Sequence, residues 1–532
     1  DSDGQSGLES RYEDVLRGTE GSYLRQVDAR NRQLDGTEGW YIPSQQGCGL
    51  VLTIDAEIQE MVEKAMRECI EVNQAQSVIC LVSDVKTGAI LAMCMNPCYD
   101  PNDPPRNDAE TLTEQMRLTA ISDVYEPGST FKILTAASAL DSGVTTPQDS
   151  FYCSAKITVD GDTIRCWGRP HGAETMADGL KNSCNPVFVE LALRMGTDTF
   201  YRYLTAFGLG KKTGIDLPGE SPGILITSRN VKRVDLARIG FGQSVALTPI
   251  QMMMAANSVI NGGKLMKPYI VSEIQTPDGE TLERFHPTVM AAPIRPETSD
   301  TMRLLLERVV SEGGGKNAAI AGYRIGGKTG TAQVYKNGRV VRDTHIGSFY
   351  GFAPVNDPQV SILVIVKEAD VPIDYGGTTA APFARQIMQE MLPYLGIDPE
   401  NDEKDEEIEV PALKGLTIGD AKRKLSQVGL ESVTDGANTV VLDQLPPAGA
   451  KLVKGGHVML YTAGSEELTP EELVCVPDLT GLGDVDCARL VRQRGLMMSM
   501  TGQGLCTEQS PAAGEYVQPG TTIFLLMAGD DE

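Results

Sequence analysis

Histidine is scarce in this chain: His171, His286, His345 and His457 are the only four in 532 residues. A catalytic centre built on three histidines would need nearly all of them, so no catalytic metal and no cofactor is expected. No run of about 18 apolar residues occurs, so nothing reads as a membrane span. The start, Asp1 to Gly7, is polar and lacks the apolar segment of a signal peptide. Either the protein is soluble or an anchor has been left off the chain. Basic charge is also in short supply: 47 Lys and Arg against 72 Asp and Glu give a net charge of −25. That balance excludes nucleic acid as a partner, because no basic stripe is available to neutralise phosphates. Cysteine, by contrast, is present eleven times, an odd number that cannot pair completely within one chain. Most cysteines (Cys69, Cys80, Cys94) sit in apolar runs and read as small buried hydrophobes. Cys153 and Cys166 flank a hairpin with its turn near Asp160-Gly161-Asp162, where a disulfide is open to them. A zinc site of these two with His171 is the less favoured reading.

The length exceeds one ordinary domain, and 41% hydrophobic residues suffice for real cores. Residues 1–49 are polar and poor in periodicity. Asp55 then caps a helix with Ile58, Met61, Val62, Ala65, Met66, Cys69 and Ile70 on one face. Strands are expected at Ser77–Ser83 and Ala89–Met95, and the Pro- and Asn-rich stretch 96–107 reads as loop. Downstream, Thr248-Pro249-Ile250-Gln251 forms a capping box with proline at the first helical position. The Met-rich helix behind it reads as core. A helix over 299–311, strands at 323–334, 346–353 and 359–366, and a helix over 381–395 complete a large domain. Helices at both ends with strands between them predict an α/β domain with a largely antiparallel sheet.

Within that domain, Tyr125-Glu126-Pro127-Gly128-Ser129-Thr130-Phe131-Lys132 precedes an apolar helix. Pro127-Gly128 breaks the chain, and Ser129 suits a helix start. Ser129 and Lys132, at i and i+3, share one face. A desolvated lysine can lose its proton and take the hydroxyl proton of a neighbouring serine without any histidine. Ser-x-x-Lys is a weak pattern alone, since Ser83-Asp84-Val85-Lys86 matches it too. Two further short motifs accompany it: Ser183-Cys184-Asn185, and Lys328-Thr329-Gly330-Thr331 entering a strand. Decoys exist at Ser228-Arg229-Asn230, Lys86-Thr87-Gly88 and Lys212-Thr213-Gly214, but Lys86 reads as a hairpin turn and Lys212 as part of a Gly/Pro-rich loop.

Beyond an acidic stretch from Asp398 to Glu409, read as a linker, the chain repeats. Val410-Pro411-Ala412-Leu413-Lys414-Gly415-Leu416 returns as Val476-Pro477-Asp478-Leu479-Thr480-Gly481-Leu482. Gln444, Pro447, Gly449 and Gly455 return near Gln509, Pro511, Gly514 and Gly520. Two small α+β modules are expected.

Ser-x-x-Lys, Ser-x-Asn and Lys-Thr-Gly together are the motif set of β-lactamases and penicillin-binding proteins. The wider stretches 126–132, 240–251 and 327–333 resemble class B penicillin-binding proteins, and the repeats resemble PASTA modules. The resemblance implies a multidomain α/β chain. It would comprise the end of a dimerisation-type pedestal (1–49), a serine β-lactamase-like transpeptidase domain (50–396), the linker (397–409) and PASTA modules at 410–464 and 474–530. It implies a peptidoglycan D,D-transpeptidase of division or sporulation, working on the outer face of the bacterial cytoplasmic membrane behind an anchor absent here. Its partners would be D-Ala-D-Ala stem peptides, β-lactams and a SEDS-type glycosyltransferase. Ser129 would be the nucleophile and Lys132 its base. Ser183 and Asn185 would bridge to the leaving group and the substrate amide. Lys328 would lower the Lys132 pKa and attract the substrate carboxylate. Thr329, Gly330, Thr331 and Gln333 would line the substrate, and the N–H groups of Ser129 and Thr331 would hold the oxyanion. A β-lactam-hydrolysing or β-lactam-sensing protein shares all three motifs, and a non-catalytic wall-binding scaffold is the alternative outside enzymology.

Overall fold

The computed structural model describes residues 3–24, 26–30, 32, 40–100, 102–168, 170–336, 339–399, 407–434, 440–453, 456–462, 474–502, 504–517 and 520–528. The chain divides into two compact units, Asp1–Glu407 and Ile408–Glu532.

The first unit is built on a five-stranded sheet. Its order is Gly326–Lys336, Arg339–Ala353, Val360–Lys367, Ser77–Asp84 and Ile90–Asn96, each antiparallel to its neighbour. Two of the three inner strands, Ser77–Asp84 and Val360–Lys367, are apolar almost throughout because both sheet faces are covered. Alternation sends Ile79, Leu81, Leu363 and Ile365 into one core and Val78, Cys80, Val82, Ile362, Val364 and Val366 into the other. Helices Ala56–Val72 and Ala381–Tyr394 supply the second core with Ile58, Val62, Met66, Ile387 and Met391. Helices Lys132–Asp141, Asn185–Ala206, Pro249–Ile260 and Pro296–Ser311 build the first and larger one. The result is the predicted α/β domain with an antiparallel sheet.

Local signals account for most element starts. The Asp55 carboxylate accepts from the N–H groups of Glu57 and Ile58. Thr248 and Gln251 form the expected capping box, and every residue of Pro249–Ile260 is buried, so the methionines there are core. Two elements start earlier than predicted. The helix read as 299–311 opens at Pro296, where proline fits the first turn, and the strand read as 346–353 opens at Arg339 as the far arm of a long hairpin. Ser129 differs as well. It caps no helix: Gly128–Phe131 is a 3₁₀ turn and the α-helix begins at Lys132. Gly128, at φ +54°, bends the chain into that turn, a conformation glycine adopts without strain.

In the second unit each repeat holds a helix and a three-stranded sheet, with a further two-stranded ladder. Helix Ile418–Gln427 accompanies strand Glu431–Thr434, which runs parallel to His457–Tyr461, with Asp443–Leu445 antiparallel on its other side. Helix Asp484–Gln493 accompanies Met497–Gly502, Thr522–Ala528 and Leu505–Ser510 in the same arrangement. The repeated glutamine does the same work twice. Gln444 accepts from the Leu413 N–H at 2.6 Å and donates to the Pro411 carbonyl at 3.1 Å. Gln509 accepts from the Leu479 N–H at 2.7 Å and donates to the Pro477 carbonyl at 3.0 Å. Most of the acidic stretch, 400–406, and the predicted module ends at 464 and 530 lie outside the described residues.

Candidate active site

Three pieces of the first unit meet at the edge of the sheet. The 3₁₀ turn holding Ser129 abuts the edge strand Gly326–Lys336 so closely that a Cβ added to Gly128 would stand 2.5 Å from the Thr331 carbonyl oxygen. Helix Lys132–Asp141 carries Lys132 inward from that turn. The loop between helices Met176–Lys181 and Asn185–Ala206 brings Ser183, which stands at φ +55° in the left-handed region, a strained position for a serine.

Ser183 is the hub of the polar network. Lys132 Nζ donates to the Ser183 carbonyl at 2.6 Å, to Ser183 Oγ at 3.2 Å and to Asn185 Oδ1 at 2.7 Å. Lys328 Nζ donates to the same Ser183 Oγ at 3.0 Å. Asn185 is oriented from behind by donating Nδ2 to the Arg165 carbonyl at 3.0 Å. Both lysines are 0% exposed. Burial lowers Lys132 to about 7, against the opposing pull of Cys166, Cys184 and Glu174. Lys328 is pushed well below its ordinary value, by burial first and by the charge of Lys132 second. Two ammonium groups sharing one hydroxyl would repel each other in this buried setting. One amine is therefore readily neutral, as a general base requires.

Ser129 is half-buried, and along the edge strand partly exposed Thr329 and Thr331 and exposed Gln333 alternate with buried Lys328, Gly330 and Ala332. Gly330 is needed for close approach, since a Cβ there would stand 2.4 Å from Ser348 Oγ. The predicted site residues Ser129, Lys132, Ser183, Asn185, Lys328, Thr329, Gly330, Thr331 and Gln333 thus lie on the turn, the helix, the loop and the strand that converge here. The decoys stand elsewhere. Ser83 is buried in a central strand, and Lys86 pairs with Asp357 at 2.7 Å on the surface. Thr213 and Gly214, beside the exposed Lys212, bind the Glu220 carboxylate. Sequence reasoning missed one neighbour: a Cβ on Gly376 would stand 2.3 Å from the Gly330 carbonyl oxygen, so the Tyr375-Gly376-Gly377 segment borders the Lys-Thr-Gly strand. Its paired glycines were the one signal that could have found it.

The disulfide open to Cys153 and Cys166 is not formed, and both thiols are free. The hairpin itself forms where it was expected, with Cys153 and Cys166 on either side of it. Cys153 ends the strand Ser150–Cys153 and pairs with Gly172, whereas the hairpin is Lys156–Val159 against Asp162–Arg165.

A serine on a tight turn, a buried lysine of lowered pKa one turn on, and a second buried lysine on the abutting strand make a set chemically able to support serine acyl transfer without histidine. The sequence comparisons place it further. A model of the penicillin-binding protein transpeptidase domain matches residues 78–389, one of the penicillin-binding protein dimerisation domain matches 1–52, and one of the PASTA domain matches 408–464 and 474–529. Stage V sporulation protein D of Bacillus subtilis (strain 168) is 37% identical over 478 residues, covering 88% of this chain and 73% of that protein. The peptidoglycan D,D-transpeptidase FtsI of Escherichia coli (strain K12) is 29% identical over 401 residues, covering 75% and 65%. Among solved structures, penicillin-binding protein 3 of Mycobacterium tuberculosis complexed with aztreonam superposes with a TM-score of 0.66 at 27% identity, covering 74% of this chain and 86% of that one. The chain belongs to the penicillin-binding protein transpeptidase family.

Proposed function

We propose that this chain is a serine-type peptidoglycan D,D-transpeptidase of cell-wall synthesis in division or sporulation, with Ser129 as its nucleophile. A relative named peptidoglycan D,D-transpeptidase supports the reaction class and one named for sporulation supports the setting, and the aztreonam complex of a structural neighbour supports β-lactam binding. The observation that carries the residue assignment is the Ser183 hydroxyl held by two fully buried lysine amines.

The neutral Lys132 amine takes the Ser129 hydroxyl proton as Oγ attacks the carbonyl carbon between the two terminal D-alanines. The developing oxyanion is met by the N–H groups of Ser129 and Thr331. The proton passes from Lys132 through Ser183 to the departing D-alanine amine, leaving an acyl-enzyme. Asn185 orients the substrate amide, while Lys328, Thr329 and Thr331 receive the terminal carboxylate and Gly330 and Gln333 line the strand side. The amine of a second stem peptide then attacks the acyl carbon and restores the serine. A β-lactam enters the same first step and stops as the ester. The enzyme works on the outer face of the bacterial cytoplasmic membrane beside a SEDS-type glycosyltransferase, residues 1–49 ending its pedestal, 50–396 forming the transpeptidase domain and 410–464 and 474–530 the PASTA modules.

The test is covalent labelling by penicillin. The adduct should survive denaturation, map to Ser129 and vanish in Ser129→Ala, whereas Ser83→Ala keeps it. Slow release of the label fits a transpeptidase, and rapid turnover would point to a β-lactamase instead.

A further inference from the structure

Beside the acyl-transfer residues, Cys153, Cys166, His171 and Cys184 bring one ligand atom each to within 4.8 Å of one another. They come from four separate segments. Cys153 ends the strand Ser150–Cys153, Cys166 follows the hairpin strand Asp162–Arg165, His171 precedes the strand Gly172–Thr175, and Cys184 caps helix Asn185–Ala206. The three cysteines are 0%, 9% and 0% exposed. Cys166 Sγ and His171 Nδ1 are 3.9 Å apart. A tetrahedral ion with Zn–S of about 2.3 Å separates its ligand atoms by roughly 3.8 Å, so the set closes with movements of about 1 Å or less.

A second observation points to the same spot. Glu174 is only 8% exposed, and its Oε1 is buried without a hydrogen-bond partner. That oxygen lies 3.7 Å from His171 Nδ1, while Oε2 accepts from Asn182 Nδ2 at 3.1 Å. The carboxylate oxygen and Cys166 Sγ thus face the same ring nitrogen, and the acid borders the four ligand atoms.

We propose that Cys153, Cys166, His171 and Cys184 form a closed, structural zinc site that positions the Ser183-Cys184-Asn185 motif. Three thiols give up their protons to the solvent and the imidazole binds neutral, so four bonds to Zn²⁺ form and no electron changes hands. With no open position the ion does no chemistry on substrate. Its effect is mechanical. Cys184 lies between the two motif residues that Lys132 contacts, and Ser183 holds a left-handed backbone that its own side chain does not favour. Tying Cys184 to the 153–171 segment fixes that strained loop against the lysines. This positioning role rests on the proposed acyl-transfer site, whereas the metal site does not.

The experiment uses the full chain, purified under reducing conditions with zinc present, with metal content measured by elemental analysis. One zinc per chain is expected, falling to near zero in Cys153→Ser and staying near one in Cys98→Ser, where the thiol is exposed, and in Ser129→Ala. Should Cys153→Ser fail to fold, the unaltered chain loaded with cobalt(II) decides the matter through the intense visible absorption of a tetrahedral thiolate site. Substoichiometric metal with no such absorption, or a Cys pair recovered as a disulfide from the zinc-replete chain, overturns the site. Removing zinc from the folded chain with a chelator should lower its melting temperature and slow penicillin acylation at least tenfold, with recovery when zinc returns. Full zinc content with acylation indifferent to its removal would leave a metal site and overturn the positioning role. Absent acylation in the zinc-replete chain would instead count against the acyl-transfer reading.

Discussion

The two units bury polar groups of different kinds. The first hides two lysine amines completely, with Ser183 between them. The second holds neutral amides instead, Gln444 buried and Gln509 half-buried, whose bonds to backbone groups are made within each module. Size accounts for the difference. A module core holds only residues such as Val410, Leu413, Leu425 and Val458, or Leu479, Val491, Ile523 and Leu525. Small domains bury too little surface to offset a desolvated charge. The first unit has two large cores on one sheet, and the amines lie at its edge. Depressed lysine pKa values need such a body around them, which the large unit supplies.

That contrast breaks most readily at the nucleophile. Ser129→Ala should remove all covalent penicillin labelling while the melting curves of both units stay in place. Lys132→Ala comes next. A positioned base is worth ~10²–10⁴ in rate, so acylation should slow by about that factor or more. The variant should still fold, because the change removes a buried amine. The unaltered enzyme carries the same information in its pH profile. With Lys132 at about 7, the neutral base grows as pH rises, so the second-order acylation rate should climb about tenfold per unit below 7 and level off above it. A profile flat from acid to neutral pH would take the base role from Lys132. Lys328→Ala should also slow acylation strongly, whereas Lys86→Ala and Lys212→Ala, both on the surface, should change it little.

Much of this site was legible in the sequence, because its residues come in short motifs whose spacing is set by local geometry. Ser129 and Lys132 are one turn apart, and Lys328 to Gln333 run along one strand. The decoys could be set aside by context alone. What could not be read was how the turn is made: Gly128's left-handed backbone produces a 3₁₀ turn, so Ser129 does not cap the helix. The Tyr375–Gly377 segment was missed because only the folded sheet brings it to Gly330. Cysteine pairing failed for a related reason. Hairpin spacing linked Cys153 to Cys166, but Cys153 pairs with Gly172 in another sheet. Cys184 was passed over as the variable middle residue of Ser-x-Asn, and without it the zinc reading had only three ligands.

The smallest expected effects lie in the second unit, and they sharpen the contrast most. Gln444→Ala leaves the Leu413 N–H buried without its acceptor, which costs ~1–3 kcal/mol. That loss should appear in the melting of the first module alone. Penicillin acylation, measured on the same sample, should be unchanged, because every proposed catalytic residue precedes Ile408. Ending the chain at Glu407 carries the idea to its limit. Few contacts cross a boundary between compact units, so the shortened protein should acylate within a few-fold of the full chain. The measurement is the second-order acylation rate of both proteins beside their melting curves. A truncated chain that melts cooperatively near the temperature of the first unit and yet has lost most of its rate would show the modules shaping the site. The large unit would then not be sufficient to hold its own lysines in register.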